Sequence, residues 1–285
     1  MSTPRVLVVD GNRAGTRARQ VAAGGQASGE GYVAALQALH PGLACDIVRP
    51  ADGPVSLPAG IGLGDYDGIA VTGSALNIYD GGPHIERQIE LARAVFEAGV
   101  PFFGSCWGLQ LAVVAAGGHV RANPRGREFG FGRRIVLTAA GRAHPMYAGK
   151  PEVFEAVTVH RDEIAGLPPG GVELARNEMG LQAAEIRHGR GVFWGVQYHP
   201  EYDYNEIAAV GLRYGDTLVN EGLFRDRAEL EAWAEELRAL QRAPEDTRLL
   251  WRHGLGPAMR DPGLKLAELA NWLQVQVRPA RARRG

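Results

Sequence analysis

Residues 100–111 read Val100-Pro101-Phe102-Phe103-Gly104-Ser105-Cys106-Trp107-Gly108-Leu109-Gln110-Leu111. The apolar run Val100 to Phe103 predicts a buried strand. Leu109, Leu111, Ala112, Val113, Ala115 and Ala116 then predict a helix, which Gly117-Gly118 ends. Cys106 therefore sits at a strand-to-helix turn, with Gly104 and Gly108 two residues to either side. A turn that tight needs glycine at both places, because a side chain there collides with neighbouring backbone. The elbow exposes the cysteine above the carboxyl edge of the sheet. The helix that follows points its N–H groups and positive dipole end at the sulfur, which favours thiolate. A lone cysteine is otherwise core filler, and that is the reading for Cys45 in the apolar run Leu43 to Val48. Cys106 in its glycine frame is read as a nucleophile.

Upstream, strands and helices alternate. Val6 to Val9 reads as a strand ending at the turn Asp10-Gly11-Asn12, and residues 12 to 30 read as a loop or weak helix start. Tyr32, Val33, Leu36 and Leu39 recur at helical spacing, Ala44 to Val48 is a second strand, and the Pro- and Gly-rich residues 50 to 67 form a loop. Asp67 to Thr72 is a third strand, entering Gly73-Ser74-Ala75, and a helix from about His84 to Ala98 leads to the quoted stretch. This alternation predicts an α/β fold with a mostly parallel central sheet and flanking helices. Sites in such sheets lie at the carboxyl ends of the strands, so Gly73 and Cys106 come to one edge.

Downstream the pattern changes. Val120 to Ala122, Arg134 to Thr138, Val153 to Val159, Val172 to Arg176, Leu181 to Arg187 and Val192 to Tyr198 read as short strands between Gly and Pro clusters. An antiparallel or mixed section appended to the parallel sheet fits them. Helices are expected over Ile207 to Glu221, Arg227 to Gln241, Asp246 to His253 and Gly263 to Val275. The expected division is a catalytic domain over 1–215 and a helical C-terminal extension over 216–285. Leu264, Leu266, Leu269, Ala270, Trp272 and Leu273 put too much apolar surface on one short helix for a solvated tail. They must be covered by this domain or by a second copy, and a homodimer is the expectation. The tail Arg278 to Gly285, with four arginines, reads as a solvated end.

The last predicted strand runs into Gln197-Tyr198-His199-Pro200-Glu201. In extended geometry residues i and i+2 project on the same side, so the Glu201 carboxylate can reach the His199 imidazole. A carboxylate on one ring nitrogen fixes the tautomer and leaves the other nitrogen to deprotonate a thiol. A bare His-Pro-Glu is as readily a surface loop. Joined to an elbow cysteine upstream, it supplies the base that Cys106 needs.

Composition narrows the partners. The 285 residues carry a formal net charge of −1, which gives no general attraction to nucleic acid or an anionic membrane. Lys150 and Lys265 are the only lysines and neither ends a phosphate-cradling glycine loop, so no ATP-binding P-loop is present. Two cysteines make no disulfide framework and no Cys/His spacing suits zinc, so neither metal nor cofactor is expected. The start, Met1-Ser2-Thr3-Pro4 followed by Arg5 to Asp10, has too short an apolar run for a signal peptide, and no later run reaches spanning length. A reducing cytoplasm is the expected location.

These motifs together resemble the class I, triad-type glutamine amidotransferases, most of all the glutaminase half of GMP synthase and its stand-alone relatives. Gly104-Ser105-Cys106-Trp107-Gly108-Leu109-Gln110 is similar to the family's G-x-C-x-G-x-Q, and Gln197 to Glu201 to its Q-[FY]-H-P-E. Val71-Thr72-Gly73-Ser74 with Tyr79-Asp80 resembles the oxyanion-loop stretch, Glu128-Phe129-Gly130 the E-[YF]-G, and His160 to Glu163 part of the S-H-x-D-x-[VI] segment. The likeness covers roughly residues 1 to 205. It implies a flavodoxin-like fold and a Cys106–His199–Glu201 triad. It also implies an oxyanion held by the backbone N–H groups of Gly73 and Trp107, and contact of Gln110 with the glutamyl portion of the substrate. That substrate would be glutamine or another γ-glutamyl compound, cleaved through a thioester. His160 and Asp162 would organise a loop. Three departures stand out: Thr-Gly-Ser-Ala-Leu-Asn at the oxyanion loop, Trp107 after the nucleophile, and some 80 residues of helix where GMP synthase has its ATP-pyrophosphatase domain. The chain is then not a GMP synthase. It delivers ammonia to a separate synthetase, or it is a stand-alone γ-glutamyl peptidase or hydrolase, or it is a silent scaffold.

Overall fold

The computed structural model describes residues 3–284; Met1, Ser2 and Gly285 lie outside the described residues. The first half alternates as expected: β1 (Arg5–Val9), α1 (Ala14–Ala22), α2 (Ser28–Leu39), β2 (Ala44–Val48), β3 (Gly68–Val71), α3 (Pro83–Ala98), β4 (Phe102–Ser105) and α4 (Trp107–Ala115). The second half supplies β5 (His119–Ala122), β6 (Glu128–Leu137), α5 (Ala139–Ala143), β7 (Val153–His160), β8 (Asp162–Gly166), β9 (Gly171–Asn177), β10 (Gly180–His188) and β11 (Gly191–Val196). Helices close the chain: α6 (Tyr204–Tyr214), α7 (Asp216–Asn220), α8 (Arg227–Arg242), α9 (Thr247–His253), α10 (Pro257–Arg260), α11 (Pro262–Lys265), α12 (Ala267–Trp272), a π-turn over Leu273–Val277, and α13 (Arg278–Arg284).

Nine strands form one sheet in the order β2-β1-β3-β4-β11-β10-β9-β6-β7. From β2 to β11 the neighbours are parallel; from β11 to β7 they are antiparallel. Strand β11 is the hinge between the two halves, and it lies beside β4. Alternate residues of β1 serve opposite faces: Leu7 and Val9 pack with Ile85, Val95 and Phe96 of α3 and with Leu109 and Val113 of α4. Val6 and Val8 pack with Tyr32 and Leu36 of α2 on the other side. Both faces are covered, so the strand reads as an unbroken apolar run.

The second face holds a correction. Leu269, Trp272, Leu273 and Val277 join the same core as Val6, Val8, Ala70 and Phe103. The Trp272 ring lies 5.7 Å from that of Phe103. It also rests on Gly68, where a Cβ would come within 2.8 Å of it. Farther along, Leu230, Leu237, Leu240, Leu249 and Leu250 pack with Ile207 and Val210 of α6 and with Val157 and Val159 of β7. The apolar stripe expected to pair two copies is thus spent on its own sheet, which removes that argument for a homodimer. The helices after residue 215 pack into these cores with residues of the sheet and of α6. The tail is corrected too: Arg278–Arg284 is helical, with Ala280 within it and Val277 just before it buried. A chain ending at Pro244 uncovers the face under Trp272. At about 1.5–3 kcal/mol per large buried side chain, it is expected to be insoluble, which light scattering of the soluble fraction checks. A soluble, active monomer would show that the sheet does not need these helices.

Candidate active site

The elbow is built as its glycines require. A Cβ on Gly104 would lie 2.7 Å from the backbone of Gly108, and one on Gly108 would lie 2.7 Å from the carbonyl oxygen of Val71. Strand β4, strand β3 and the first turn of α4 are packed backbone to backbone here. Gly108→Ala is therefore expected to cost about 1–3 kcal/mol, read as a lower melting temperature together with lost turnover. Cys106 itself has φ +51° and, with Arg134, is one of two non-glycine residues at positive φ among the described residues. Such strain costs on the order of 1–3 kcal/mol and persists where the surroundings enforce it. The enforcing contact is with β11: Ser105 pairs with Val196, and the Cys106 N–H donates to the Val196 carbonyl at 2.7 Å.

The same strand delivers the base. The β11 ladder ends at Val196, and the His199 N–H donates to the Val157 carbonyl of β7 at 2.8 Å. Pro200 and Glu201 lie in a turn, closed by a Tyr202 N–H bond to the His199 carbonyl at 3.3 Å. The expected extended geometry is corrected: the ladder has ended at Val196 and the chain turns at Pro200 and Glu201. The turn still brings the carboxylate to the ring, with His199 Nδ1 2.8 Å from Glu201 Oε1. Both side chains are almost wholly buried, each 2% exposed. The Tyr202 ring stacks on the imidazole at 4.1 Å and 9°.

Two residues that the motifs did not single out brace Glu201. Its Oε2 accepts from the Ser105 hydroxyl at 3.0 Å, and the Tyr32 hydroxyl lies 3.1 Å from Ser105 Oγ, in position to donate to it. Ser105 had a signal in the sequence: a hydroxyl at the end of a buried strand needs a partner. Tyr32, from α2, had none.

Burial pulls the His199 imidazole down. The Glu201 charge, the nearby Cys106 and the hydrogen bond to Glu201 outweigh it, and the group is pushed up to about 10. Nε2, the ring nitrogen facing away from Glu201, is buried without a hydrogen-bond partner. An imidazolium with one N–H held by a carboxylate and the other unspent can give a proton to a reactant.

Gly73 comes to this edge as expected. A Cβ there would lie 2.4 Å from His199 Cε1, so only glycine lets the loop approach the ring. Asn12 holds that loop, accepting from the Ala75 N–H at 3.0 Å and donating to the Gly73 carbonyl at 3.3 Å. The Trp107 side chain joins the core between α3, α4 and the sheet. It is fully buried, and its indole N–H donates to Gln88 at 2.8 Å. Its backbone N–H opens α4 and is among the four that a helix leaves without an internal acceptor. Gln110 is also buried, and its amide points to Gln197 at 3.4 Å.

His160 and Asp162 organise loops. His160 Nε2 lies 2.8 Å from Glu128, whose carboxylate also accepts from Asn177 at 2.6 Å and Gln182 at 3.0 Å. Asp162 accepts from the Tyr79 hydroxyl at 2.8 Å, tying the loop after β3 to the turn after β7. That turn holds the Val159 carbonyl 4.0 Å from Cys106 Sγ. Among the described residues no cluster of three or more His, Cys, Asp or Glu could hold a metal ion, and no helix is long and apolar enough to cross a membrane.

The chain is similar in sequence and fold to known proteins. The model of the glutamine amidotransferase class-I family matches residues 36–211. A γ-glutamyl-L-1-hydroxyisopropylamide hydrolase of a Pseudomonas species is 36% identical over 100% of this chain and 97% of its own length. GMP synthase of an Enterobacter species is 33% identical over 54% of this chain, which spans 29% of that enzyme. In fold, a glutamine amidotransferase of Thermotoga maritima superposes with a TM-score of 0.60 at 17% identity, covering 97% of this chain and 99% of that one. A glutamine amidotransferase of Methylobacillus flagellatus gives 0.58 at 22% identity, covering 84% and 94%. With the family model spanning more than half of its length, and a full-length relative above 30% identity, the chain belongs to the class-I glutamine amidotransferase family.

Proposed function

We propose that this enzyme hydrolyses the γ-amide bond of a small γ-glutamyl compound, using Cys106 as nucleophile. With its proton transferred to His199 Nε2, Cys106 Sγ attacks the amide carbon as thiolate, and the oxyanion is received by the backbone N–H groups of Gly73 and Trp107. His199 Nε2 gives its proton to the departing amine or ammonia and leaves a thioester. It then takes a proton from water, whose oxygen displaces the sulfur and frees glutamate. Glu201 holds the ring, and Gln110 faces the glutamyl portion. The observation that carries the reading is His199: Nδ1 is bound to Glu201, while Nε2 is buried with no protein partner. The thiol chemistry suits a reducing cytoplasm.

A γ-glutamyl alkylamide is favoured over glutamine, because the Pseudomonas hydrolase of such an amide is similar from end to end, C-terminal helices included. The GMP synthase likeness spans about half of this chain. The second reading, glutamine hydrolysis with ammonia passed to a separate synthetase, is separated by one experiment. The purified protein is given glutamine and a series of γ-glutamyl alkylamides and peptides, with and without cell extract, and glutamate release is measured. Rapid turnover of alkylamides by the protein alone supports the hydrolase. Glutamine turnover that appears only with extract supports a partner synthetase. No release from any of them leaves the silent scaffold.

A further inference from the structure

The chain has two lysines, and both lie behind the turn that carries His199. Lys265, the last residue of α11, donates from Nζ to the Tyr202 carbonyl at 2.9 Å. Tyr202 is the residue whose ring stacks on the imidazole. Three residues on, Glu268 of α12 accepts at one carboxylate oxygen from the Tyr198 hydroxyl at 2.5 Å and from Lys150 Nζ at 2.6 Å. The Tyr147 hydroxyl completes the group, 2.9 Å from that of Tyr198. The residue before His199 and the residue three after it are thus each tied to the C-terminal helices. Glu268 is 0% exposed and Lys150 2%, so this ion pair stands where desolvation opposes it. A buried pair of that kind adds little to stability over an apolar pair of the same size. It does fix where its partners sit. Trp272, seated against β3 and β4, fixes the helix that bears it.

We propose that Lys265 and Glu268 are positioning residues, which clamp the 197–202 turn from the C-terminal helices and so aim the His199 ring at Cys106. The proposal rests on the hydrolase reading for its kinetic test and has a second test free of it. Lys265→Met keeps the stem and removes the ammonium; Tyr198→Phe removes only the hydroxyl that reaches Glu268. Leu273→Ala, in the same helices but away from the turn, is the control for packing. Displacing a catalytic group by about 1 Å costs on the order of 10²-fold in rate. Lys265→Met is therefore expected to lower kcat by roughly ten- to a hundredfold with KM held, and Tyr198→Phe to act in the same direction by less. Leu273→Ala is expected to lower the melting temperature and leave kcat within about twofold, since it touches packing alone.

The readout that needs no substrate is the Nδ1–H resonance of His199 in protein labelled with 15N-histidine, assigned by its absence in His199→Ala. It should move or broaden in Lys265→Met and stay in Leu273→Ala. If wild type turns over no γ-glutamyl amide, the hydrolase reading fails and the resonance alone decides the clamp. If Lys265→Met does not fold, Tyr198→Phe decides. A folded Lys265→Met with wild-type kcat and an unmoved resonance would overturn the proposal, as would a loss of kcat in Leu273→Ala equal to that in Lys265→Met.

Discussion

Cys106→Ser is expected to give a folded protein that releases no glutamate, a loss on the order of 10⁴-fold or more, as when a nucleophile acting within a triad is removed. Stability should hardly change. The substitution exchanges one atom, and the polar contact of Sγ in the structure is the Val159 carbonyl at 4.0 Å. A glutamine-analogue electrophile should label Cys106 in stoichiometric amount and spare Cys45. Cys45 lies in β2 beside Asp46, and burial with that neighbouring charge pushes its thiol up to about 11, so it stays protonated near neutral pH. Mass spectrometry of the labelled peptide distinguishes the two. Label on Cys45 would undo the assignment of the elbow.

The second large effect divides base from carboxylate. His199→Ala removes the group that serves both leaving amine and water, and should cost about 10²–10⁴-fold in kcat. Glu201→Gln keeps one oxygen acceptor for Nδ1–H while its NH2 group replaces the oxygen that accepts from Ser105, so it should retain more activity than His199→Ala. What it loses is charge. Without the carboxylate, burial governs, and His199 falls from its raised value toward the neutral form. The linkage has a definite sign. A group raised in the folded state from 6.5 to about 10 stabilises the fold fully below the lower value, and that stabilisation is lost as pH rises through the upper one. The melting-temperature advantage of wild type over Glu201→Gln should thus be largest near pH 6.5 and shrink toward pH 10. Full activity in Glu201→Gln would remove Glu201 from the site.

Much of the first half was legible because its strands are short, mostly apolar runs framed by turn residues. Ala44 to Val48 was placed to the residue, and Val6 to Val9 to within one. Helix α1 escaped because it carries Gly15 and two arginines and buries little but Gln20. The helix read over Ile207 to Glu221 is broken in two at Gly215, whose φ of +53° no sequence periodicity announces. The extension was misjudged for a different reason. A one-sided stripe says that a face is covered, and only the fold says by what. Of the site, His199 and Glu201 meet within one local turn, Gly73 follows from strand order, and Cys106 reaches them through the pairing of β4 with β11. Tyr32 and Lys265 act across gaps of 73 and 63 residues, contacts that local pattern does not carry.

The pairing of β4 with β11 bears on how the molecule is made. The strand that ends in the nucleophile is complete at Ser105, yet its second neighbour begins only at Gly191. During synthesis the inner edge of β4 waits for that partner for about ten seconds, at roughly 5–20 residues per second. Its unpaired N–H and C=O groups are then an open template for any other nascent strand. Phe102 and Phe103 give the strand an apolar side chain on each face as well. The most hazardous interval in the life of this chain falls before its active site exists, and slow translation between residues 106 and 191 would lengthen it.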